Sequence, residues 1–225
     1  MNINKLLTTV NYEKKDNRKI QYLVLHYVGA TGDAKNNCIY FKDVYRGSSA
    51  HYFVGHNGDI WQCVEDKDVS WHCGAKTYKH PYCRNNNSIG IELCCKKDKN
   101  NNWYFEDATV KAAIELVKEL MKKYGITESN ILRHFDVTNK NCPEPYVRSI
   151  AAWNNFKSKL NSSSVGYVVR ITADVLNVRS GAGVNYKINT TVKKGEAYTI
   201  VQELNGWGKL KSGVGWISLK YTTKV

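Results

Sequence analysis

The sequence changes character at a short polar segment, Asn161-Ser162-Ser163-Ser164. Before this segment, strand-like and helix-like patterns alternate, whereas after it there are only short strand-like patterns separated by glycine-rich turns. A serine cluster between two such regions is typical of a linker. At ~3.3–3.6 Å per residue, this linker separates two bodies by little more than about 10 Å. We therefore predict two domains, residues 1–160 and residues 165–225.

Residues 1–160 predict an α/β fold in which helices flank a mixed central sheet. Residues 20–28 are a nearly continuous run of β-branched, aromatic and apolar residues, which suits a buried central strand. Residues 50–54 and 59–64 flank an Asn57-Gly58 turn and predict a β-hairpin. The remaining patterns are a strand at residues 88–95, a helix from Asp107 as N-cap to Gly125 as C-cap, a helix at residues 150–160, and a weaker helix that starts after Asp33 and carries Cys38, Phe41 and Tyr45.

Residues 165–225 predict a small all-β barrel. Short strands at close spacing, with glycine in the turns between them, are typical of such barrels. The strand patterns cover residues 168–173, 175–178, 197–204, 206–211 and 214–218.

The chain is basic, with 33 Lys and Arg against 20 Asp and Glu, a formal charge of +13. The last 65 residues carry 9 of the basic and 3 of the acidic residues, so the predicted barrel is the more basic part per residue. A basic surface attracts polyanions, which include nucleic acids and teichoic acid-rich cell walls. Because no run of five or more like charges occurs, the sequence argues against a disordered nucleic-acid-binding arm.

Three sequence features bear on location. No apolar run approaches the ~20 residues that span a bilayer, so we expect no membrane insertion. Residues 1–16 lack the apolar stretch of ~7–15 residues that a signal peptide needs, so we expect synthesis in the cytoplasm without an export signal. All seven cysteines lie within residues 38–142, and their odd number without a CxxC pair favours free thiols in a reducing compartment over a disulfide framework.

Three residues combine the side chains that zinc prefers. His26 lies in the first strong strand, His134 follows a strand-like segment, and Cys142 stands just before Pro143. Two imidazoles and a thiolate bind Zn²⁺ well and leave a fourth position for water, whose pKa the metal lowers to ~7. Spacing alone does not distinguish such ligands from packed histidines and an inert buried cysteine.

A series of short motifs follows in order along residues 15–160. They are Leu25-His26-Tyr27, Ser49-Ala50-His51-Tyr52-Phe53-Val54, Asn57-Gly58-Asp59-Ile60, Trp71-His72-Cys73-Gly74, Asn87-Ser88-Ile89-Gly90-Ile91-Glu92, Arg133-His134-Phe135-Asp136-Val137 and Lys140-Asn141-Cys142-Pro143. This set resembles the type 2 N-acetylmuramoyl-L-alanine amidase family, which is related to phage lysozyme-amidases and peptidoglycan recognition proteins.

The tail carries a second set of motifs, which resembles a bacterial SH3 domain. They are Leu176-Asn177-Val178-Arg179-Ser180-Gly181, Gly206-Trp207-Gly208-Lys209-Leu210 and Gly215-Trp216-Ile217. The pairing of the two domains resembles a phage endolysin or a bacterial autolysin.

The resemblance implies that zinc is held by His26, His134 and Cys142. It also implies that Glu92 is the acidic residue of the site and that Lys140 is the basic residue two positions before the cysteine ligand. A carboxylate at Glu92 could take a proton from water and pass it to the leaving amine. The Lys140 ammonium, together with zinc, could stabilise the oxyanion that forms on the amide carbonyl.

Two further histidines, His51 and His72, fall within family-like motifs. We expect them to line the substrate groove without binding zinc.

The resulting hypothesis is an enzyme that hydrolyses the amide between N-acetylmuramic acid and L-alanine in peptidoglycan. One alternative is a peptidoglycan-binding module that does not cut; the retained cysteine ligand, Cys142, favours the enzyme. Another is a basic nucleic-acid binder that stacks bases on Tyr167, Trp207 and Trp216, but these aromatic residues equally suit a barrel core. We therefore expect peptidoglycan and anionic wall polymers as partners, and no nucleic acid. The missing export signal favours a phage enzyme released through a holin pore over a host autolysin.

Overall fold

The computed structural model describes residues 1–160 and 163–225, and the chain divides into two compact units, Met1–Leu160 and Asn161–Val225. Asn161 and Ser162 of the predicted linker lie outside the described residues. The two serines after them already belong to a strand, because their backbones pair with residues 202 and 203 of the second unit.

The first unit is built on a mixed six-stranded sheet in the order β1-β4-β3-β5-β2-β8. The pairs β3–β5, β5–β2 and β2–β8 are parallel, as is the pair β1–β4, whereas β3 and β4 form the antiparallel hairpin that the sequence predicts. The strands are β1 Asn4–Lys5, β2 Tyr22–Tyr27, β3 Tyr52–Val54, β4 Ile60–Gln62, β5 Ser88–Leu93 and β8 Ile131–Arg133, and a separate two-stranded ribbon consists of β6 Lys96–Lys97 and β7 Trp103–Tyr104.

Five α-helices accompany the sheet: α1 Ala34–Lys42, α2 Asp107–Tyr124, α3 His134–Thr138, α4 Glu144–Arg148 and α5 Ile150–Leu160. The predicted bounds of α5 are confirmed. The predicted C-cap of α2 is also confirmed, because Gly125 adopts the left-handed conformation, with φ of 65°. The prediction that Asp107 is the N-cap is wrong by one residue, since Asp107 is already helical. Helix α1 starts after Asp33 as predicted, with the Asp33 carboxylate accepting a bond from the Ala34 amide, but it ends before Tyr45.

The two faces of the sheet are covered by different elements. On one face, Leu23 and Leu25 of β2 are fully buried against α2 and α5 in the main hydrophobic core. Because successive strand side chains point to opposite faces, Val24 and His26 lie on the other face. That face is covered by loops and by α3, and it carries the candidate site.

All seven cysteines, which lie within the described residues, are buried free thiols. Adjacent residues of a strand point to opposite faces, yet Cys94 and Cys95, at the end of the strand predicted for residues 88–95, are both 0% exposed. Strand β5 ends at Leu93, so the strand period no longer applies to them.

One polar network anchors α2 to the hairpin. The Asp66 carboxylate, 8% exposed as a residue, accepts hydrogen bonds from the Tyr52 hydroxyl at 2.5 Å, the Tyr124 hydroxyl at 2.6 Å and the Lys123 ammonium at 2.7 Å. These bonds satisfy a carboxylate that would otherwise be costly to bury.

The second unit is a seven-stranded sheet in the order β11-β10-β14-β13-β12-β9-β15, in which every pairing is antiparallel. The strands are β9 Ser163–Ile171, β10 Val175–Arg179, β11 Ile188–Lys193, β12 Ala197–Leu204, β13 Trp207–Leu210, β14 Trp216–Ser218 and β15 Thr222–Lys224. The core of this unit contains Val169, Val178, Ile200 and Ile217, and Tyr167 packs against it.

The predicted fold class, a mixed α/β region followed by a small all-β region, is confirmed. In the second unit, the strand patterns of the sequence did not predict β11 and β15. In the part of the chain that the structure describes, no helix is both long and apolar enough to cross a membrane.

Candidate metal centre and active site

The structure brings His26, His134 and Cys142 together. One ligand atom from each lies within 4.8 Å of the others, and the three residues are 2%, 4% and 3% exposed. The Cys142 Sγ lies 3.6 Å from His26 Nδ1. Within the described residues, this is the one group of three or more His, Cys, Asp or Glu residues close enough to hold a metal.

Two adjacent strands and a short return loop assemble this cluster. His26 is on β2, and His134 is the first residue of α3, directly after β8, which pairs with β2. Helix α3 ends at Thr138, and its C-cap Asn139 adopts the left-handed conformation that Asn tolerates, with φ of 66°. The chain then turns back, and the Cys142 carbonyl accepts a 2.8 Å hydrogen bond from the Phe135 amide. That bond fixes the thiol relative to the first turn of α3.

Both histidines suit metal binding because they are neutral. Burial, reinforced by the neighbouring His72, holds the pKa of His26 well below 6.5. Burial and the Lys140 charge lower the pKa of His134 to about 4. The His134 Nδ1 atom is buried, and no group in the described ranges hydrogen-bonds to it. A buried nitrogen without a partner is costly unless a ligand satisfies it.

The Cys142 thiol also suits metal binding. Burial, together with the nearby Glu92 carboxylate, raises the pKa of Cys142 to about 12. A thiolate is therefore stable at this position only next to a cation. Two imidazoles and a thiolate are a donor set that transition metals favour, so the residues fit a metal with three protein ligands.

Glu92 lies beside the cluster. It is the direct register partner of His26 on the parallel strand β5, so both side chains lie on the same face of the sheet. Its Oε2 atom is buried without a hydrogen-bond partner among the residues described. Burial raises the pKa of Glu92 to about 7, against the opposing effect of the Lys140 charge.

A cavity of about 290 Å³ joins these groups. His26, Glu92, Lys140 and Cys142 all line it, and Lys140 is exposed to solvent. A larger groove of about 580 Å³ extends from His134 past Trp71 and the exposed segment 74–77. The predicted metal ligands and the predicted catalytic pair therefore open onto one concave surface.

The structure separates the two histidines that the sequence assigns to the groove. His51 is 0% exposed and does not line either cavity. Its Nδ1 lies 2.7 Å from the Ser70 hydroxyl and accepts a 3.0 Å bond from the Gly90 amide. His51 therefore supports the fold beneath the groove.

His72, by contrast, lines both cavities and touches the metal cluster. Its Nδ1 lies 3.0 Å from His26 Nε2, and its Nε2 lies 3.0 Å from the Ser88 hydroxyl. Sequence reasoning missed Ser88 and Gly90 as parts of the site. An isolated glycine inside an apolar strand is a signal for the close approach of another group, and at Gly90 that group is His72.

Comparison with known proteins decides the family. A family model described as N-acetylmuramoyl-L-alanine amidase matches residues 16–145, more than half of the chain. The chain belongs to the N-acetylmuramoyl-L-alanine amidase family. A second model, described as bacterial SH3 domain, matches residues 174–223. The resemblance stated from the sequence motifs is thereby confirmed for both regions.

Individual members of this amidase family give the extent of the likeness. The chain is 33% identical over 156 residues to the N-acetylmuramoyl-L-alanine amidase CwlL of Bacillus licheniformis, covering 64% of this chain and 41% of that protein. It is 30% identical over 144 residues to the amidase AmiD of Escherichia coli (strain K12), covering 56% of this chain and 49% of that protein. The chain therefore spans less than half the length of each of these relatives.

A solved structure extends the likeness to the fold. A mutant endolysin from Bacillus subtilis superposes with a TM-score of 0.58 at 25% identity, covering 71% of this chain and 99% of that one.

Proposed function

We propose that the first unit is a zinc-dependent hydrolase that cuts the amide between N-acetylmuramic acid and L-alanine in peptidoglycan, and that the second unit binds the cell wall. The observation that carries this proposal is the cluster of His26, His134 and Cys142 beside a cavity that Glu92 also lines, in a chain of this amidase family. The activity is of the kind that endolysins direct against bacterial walls.

The metal ligands in this proposal are His26, His134 and Cys142. Their nitrogen and sulfur donors suit zinc, and three protein ligands leave a position open to water and substrate. Zinc, when bound, supplies a Lewis acid that activates water at neutral pH and polarises the amide carbonyl. The burial of all three residues excludes bulk water from the side of the cluster that faces the sheet.

Glu92 is the proposed proton carrier. It is adjacent to the cluster in register, it lines the same cavity, and its Oε2 atom is not committed to a hydrogen bond with any described residue. Because its pKa is about 7, the carboxyl can hold or release a proton near neutral pH. Such a group can take a proton from water and deliver it to the departing L-alanine nitrogen.

Lys140 is the proposed electrostatic partner of the amide oxygen. Its position two residues before Cys142 places it at the rim of the cavity, where its side chain is exposed to solvent. An ammonium aimed at a carbonyl oxygen stabilises the negative charge that develops there during attack.

The larger groove is the proposed binding surface for the wall fragment. Its volume of about 580 Å³ lies within the range of ~300–1,000 Å³ that ligand sites occupy. Trp71 and Lys140 line both this groove and the smaller cavity, so a chain bound in the groove can present its amide to the cluster.

The second unit is the proposed wall anchor. Its excess of basic residues, 9 against 3, favours contact with anionic wall polymers as well as with peptidoglycan. Attachment at a second point raises the effective concentration of an insoluble substrate at the first.

The test is the digestion of purified peptidoglycan, with mass spectrometry of the products and metal analysis of the same preparation. We expect one zinc per chain and new stem peptides with a free L-alanine amine. The matched control is Cys142→Ser, which replaces a thiol that binds zinc as the thiolate by a hydroxyl that binds zinc poorly. This variant should lose both metal and cleavage while retaining wall binding through the second unit. Wall binding by the wild-type chain without cleavage would instead identify a binding module.

A further inference from the structure

A chain of hydrogen bonds leads from the metal cluster to a rigid main-chain carbonyl. His26 Nε2 lies 3.0 Å from His72 Nδ1, and His72 Nε2 lies 3.0 Å from the Ser88 hydroxyl. The Ser88 hydroxyl donates in turn to the Arg84 carbonyl at 2.7 Å. The Ser88 hydroxyl also has a longer contact, 4.0 Å, with the Cys73 Sγ, in which either atom could be the donor.

The last bond fixes the direction of all the others. A carbonyl oxygen can only accept, so the single proton of the Ser88 hydroxyl points at Arg84. Ser88 must therefore accept from His72, which places a proton on His72 Nε2 and leaves a lone pair on Nδ1. That lone pair accepts from His26, so the His26 proton is on Nε2. The remaining lone pair of His26 is on Nδ1, the atom that lies 3.6 Å from the Cys142 sulfur.

The groups at the far end of the series are held firmly. The Arg84 guanidinium donates to the carbonyls of His80 and Cys83 and lies 3.8 Å over the Tyr78 ring. The Arg84 amide donates to the Asn87 side chain at 2.8 Å. The carbonyl that orients Ser88 is thus fixed by the turn around it.

The backbone of Gly90 also limits the position of the His72 ring. A Cβ atom at position 90 would lie 2.5 Å from His72 Cγ and 2.8 Å from His72 Nδ1. The ring therefore rests on the bare backbone of β5, where only glycine leaves room for it. This contact sets the height of the ring above the sheet and its distance from His26.

We infer that His72 is a positioning residue that holds His26 in the tautomer protonated on Nε2, and so leaves His26 Nδ1 available to the metal. This inference rests on the zinc centre of the proposed function. A ligand histidine commonly donates its second ring N–H to a partner that fixes its tautomer and orientation. In this protein that partner is a second histidine, whose own tautomer is set by Ser88 and Arg84.

The first test is the tautomeric state of the histidines in the full chain. Long-range ¹H–¹⁵N correlation spectra of the ¹⁵N-labelled, zinc-loaded protein should give His72 a protonated Nε2 and a bare Nδ1, and His26 a protonated Nε2. His51 provides an internal reference, because the Gly90 amide donates to its Nδ1 and so requires the Nε2-protonated form. A proton on His72 Nδ1 would overturn the inference.

The second test is zinc affinity, measured by competition with a chelator. His72→Phe keeps a ring of similar shape but removes the acceptor, and we expect its zinc dissociation constant to rise about 10- to 100-fold. His72→Asn carries an oxygen near the position of Nδ1, so it should restore affinity to within a few-fold of the wild type. Equal losses in both variants, or no loss in His72→Phe, would contradict a role through His26.

Ser88→Ala tests the last side chain of the hydrogen-bonded series. If His72→Phe does not fold, this variant tests the role of His72 in its place. Loss of the hydrogen bonds that Ser88 makes to His72 and to the Arg84 carbonyl should weaken zinc binding about 2- to 10-fold. Ser70→Ala is its matched control, because Ser70 is equally buried and bonds to His51, outside the series. Zinc affinities that are equal in the two serine variants would count against the inference.

The proposed function and this inference fail in different ways. Absence of zinc binding or of amide cleavage in the wild type would remove the proposed function. Normal zinc binding and cleavage in the wild type, with an unaffected His72→Phe, would remove only the role of His72.

Discussion

Substitution of Gly90 by alanine tests the geometry beneath the metal cluster. Gly90 lies in the extended strand β5, so alanine fits the backbone there. Its Cβ would lie 2.5 Å from His72 Cγ, whereas ordinary contacts begin at 3.4 Å, so the ring must move by about 0.9 Å. The His26–His72 hydrogen bond measures 3.0 Å, and N–H···N bonds of this kind weaken rapidly beyond ~3.2 Å.

Two consequences should follow for Gly90→Ala. Extra volume in a packed site commonly costs about 1–3 kcal/mol of the free energy of unfolding. Loss of the group that orients His26 should raise the zinc dissociation constant about 10- to 100-fold. The first quantity is measured by urea unfolding of the zinc-free chain, and the second by chelator competition.

Gly74→Ala is the matched control, because Gly74 lines the groove together with His72 and its Cβ would meet only the Asn85 side chain, at 3.4 Å. It should leave both quantities near their wild-type values. A folded Gly90→Ala protein with wild-type zinc affinity would refute the reasoning, since the ring could not have been displaced as the distances require.

Three further outcomes are expected. Glu92→Gln should keep its zinc and its thermal stability while amide hydrolysis slows by about 10²–10⁴-fold, and a rate within a few-fold of wild type would remove Glu92 as proton carrier. Asp66→Asn should lose about 1.5–3 kcal/mol of unfolding free energy at pH 7, measured by urea unfolding. Burial raises the pKa of Asp66, but the bonds from Lys123 and two tyrosines outweigh it and lower the pKa overall. The difference between this variant and wild type should therefore be full above the unfolded-state pKa of ~3.9 and vanish as the pH falls through the lower folded-state value. Deletion of residues 161–225 should slow lysis of intact walls but leave cleavage of soluble fragments nearly unchanged, and equal losses on both substrates would contradict tethering.

Local patterns with a strong period were predictable from the sequence. Helix α5 has the predicted bounds, and the hairpin of β3 and β4 forms around its Asn57-Gly58 turn. Strand β11 was not predictable in this way. Five of its six residues are exposed, so its sequence, INTTVK, lacks the alternation of a strand with one buried face.

The clustering of the three candidate metal ligands was predictable from the sequence, but the residues that support them were not. The residue types of His26, His134 and Cys142 indicate a metal site. The family motifs indicate which of the histidines in the chain are its candidate ligands. Nothing near His72 in the sequence indicates that its ring contacts a residue 46 positions away. The burial of His51 was equally hidden, because the groups that satisfy its ring come from a loop and from the backbone of another strand.

The position of β2 between two parallel neighbours has a consequence for local opening of the chain. Its amides are hydrogen-bonded within the sheet, five of its six residues are buried, and both of its faces are covered. Such a strand exchanges its amide hydrogens only when the whole unit unfolds, whereas exposed segments such as residues 74–77 open at little cost. The rim of the groove can therefore fluctuate, as entry of the proposed polymeric substrate requires, while His26 stays in register. The slowest-exchanging amides of the first unit should accordingly include that of His26.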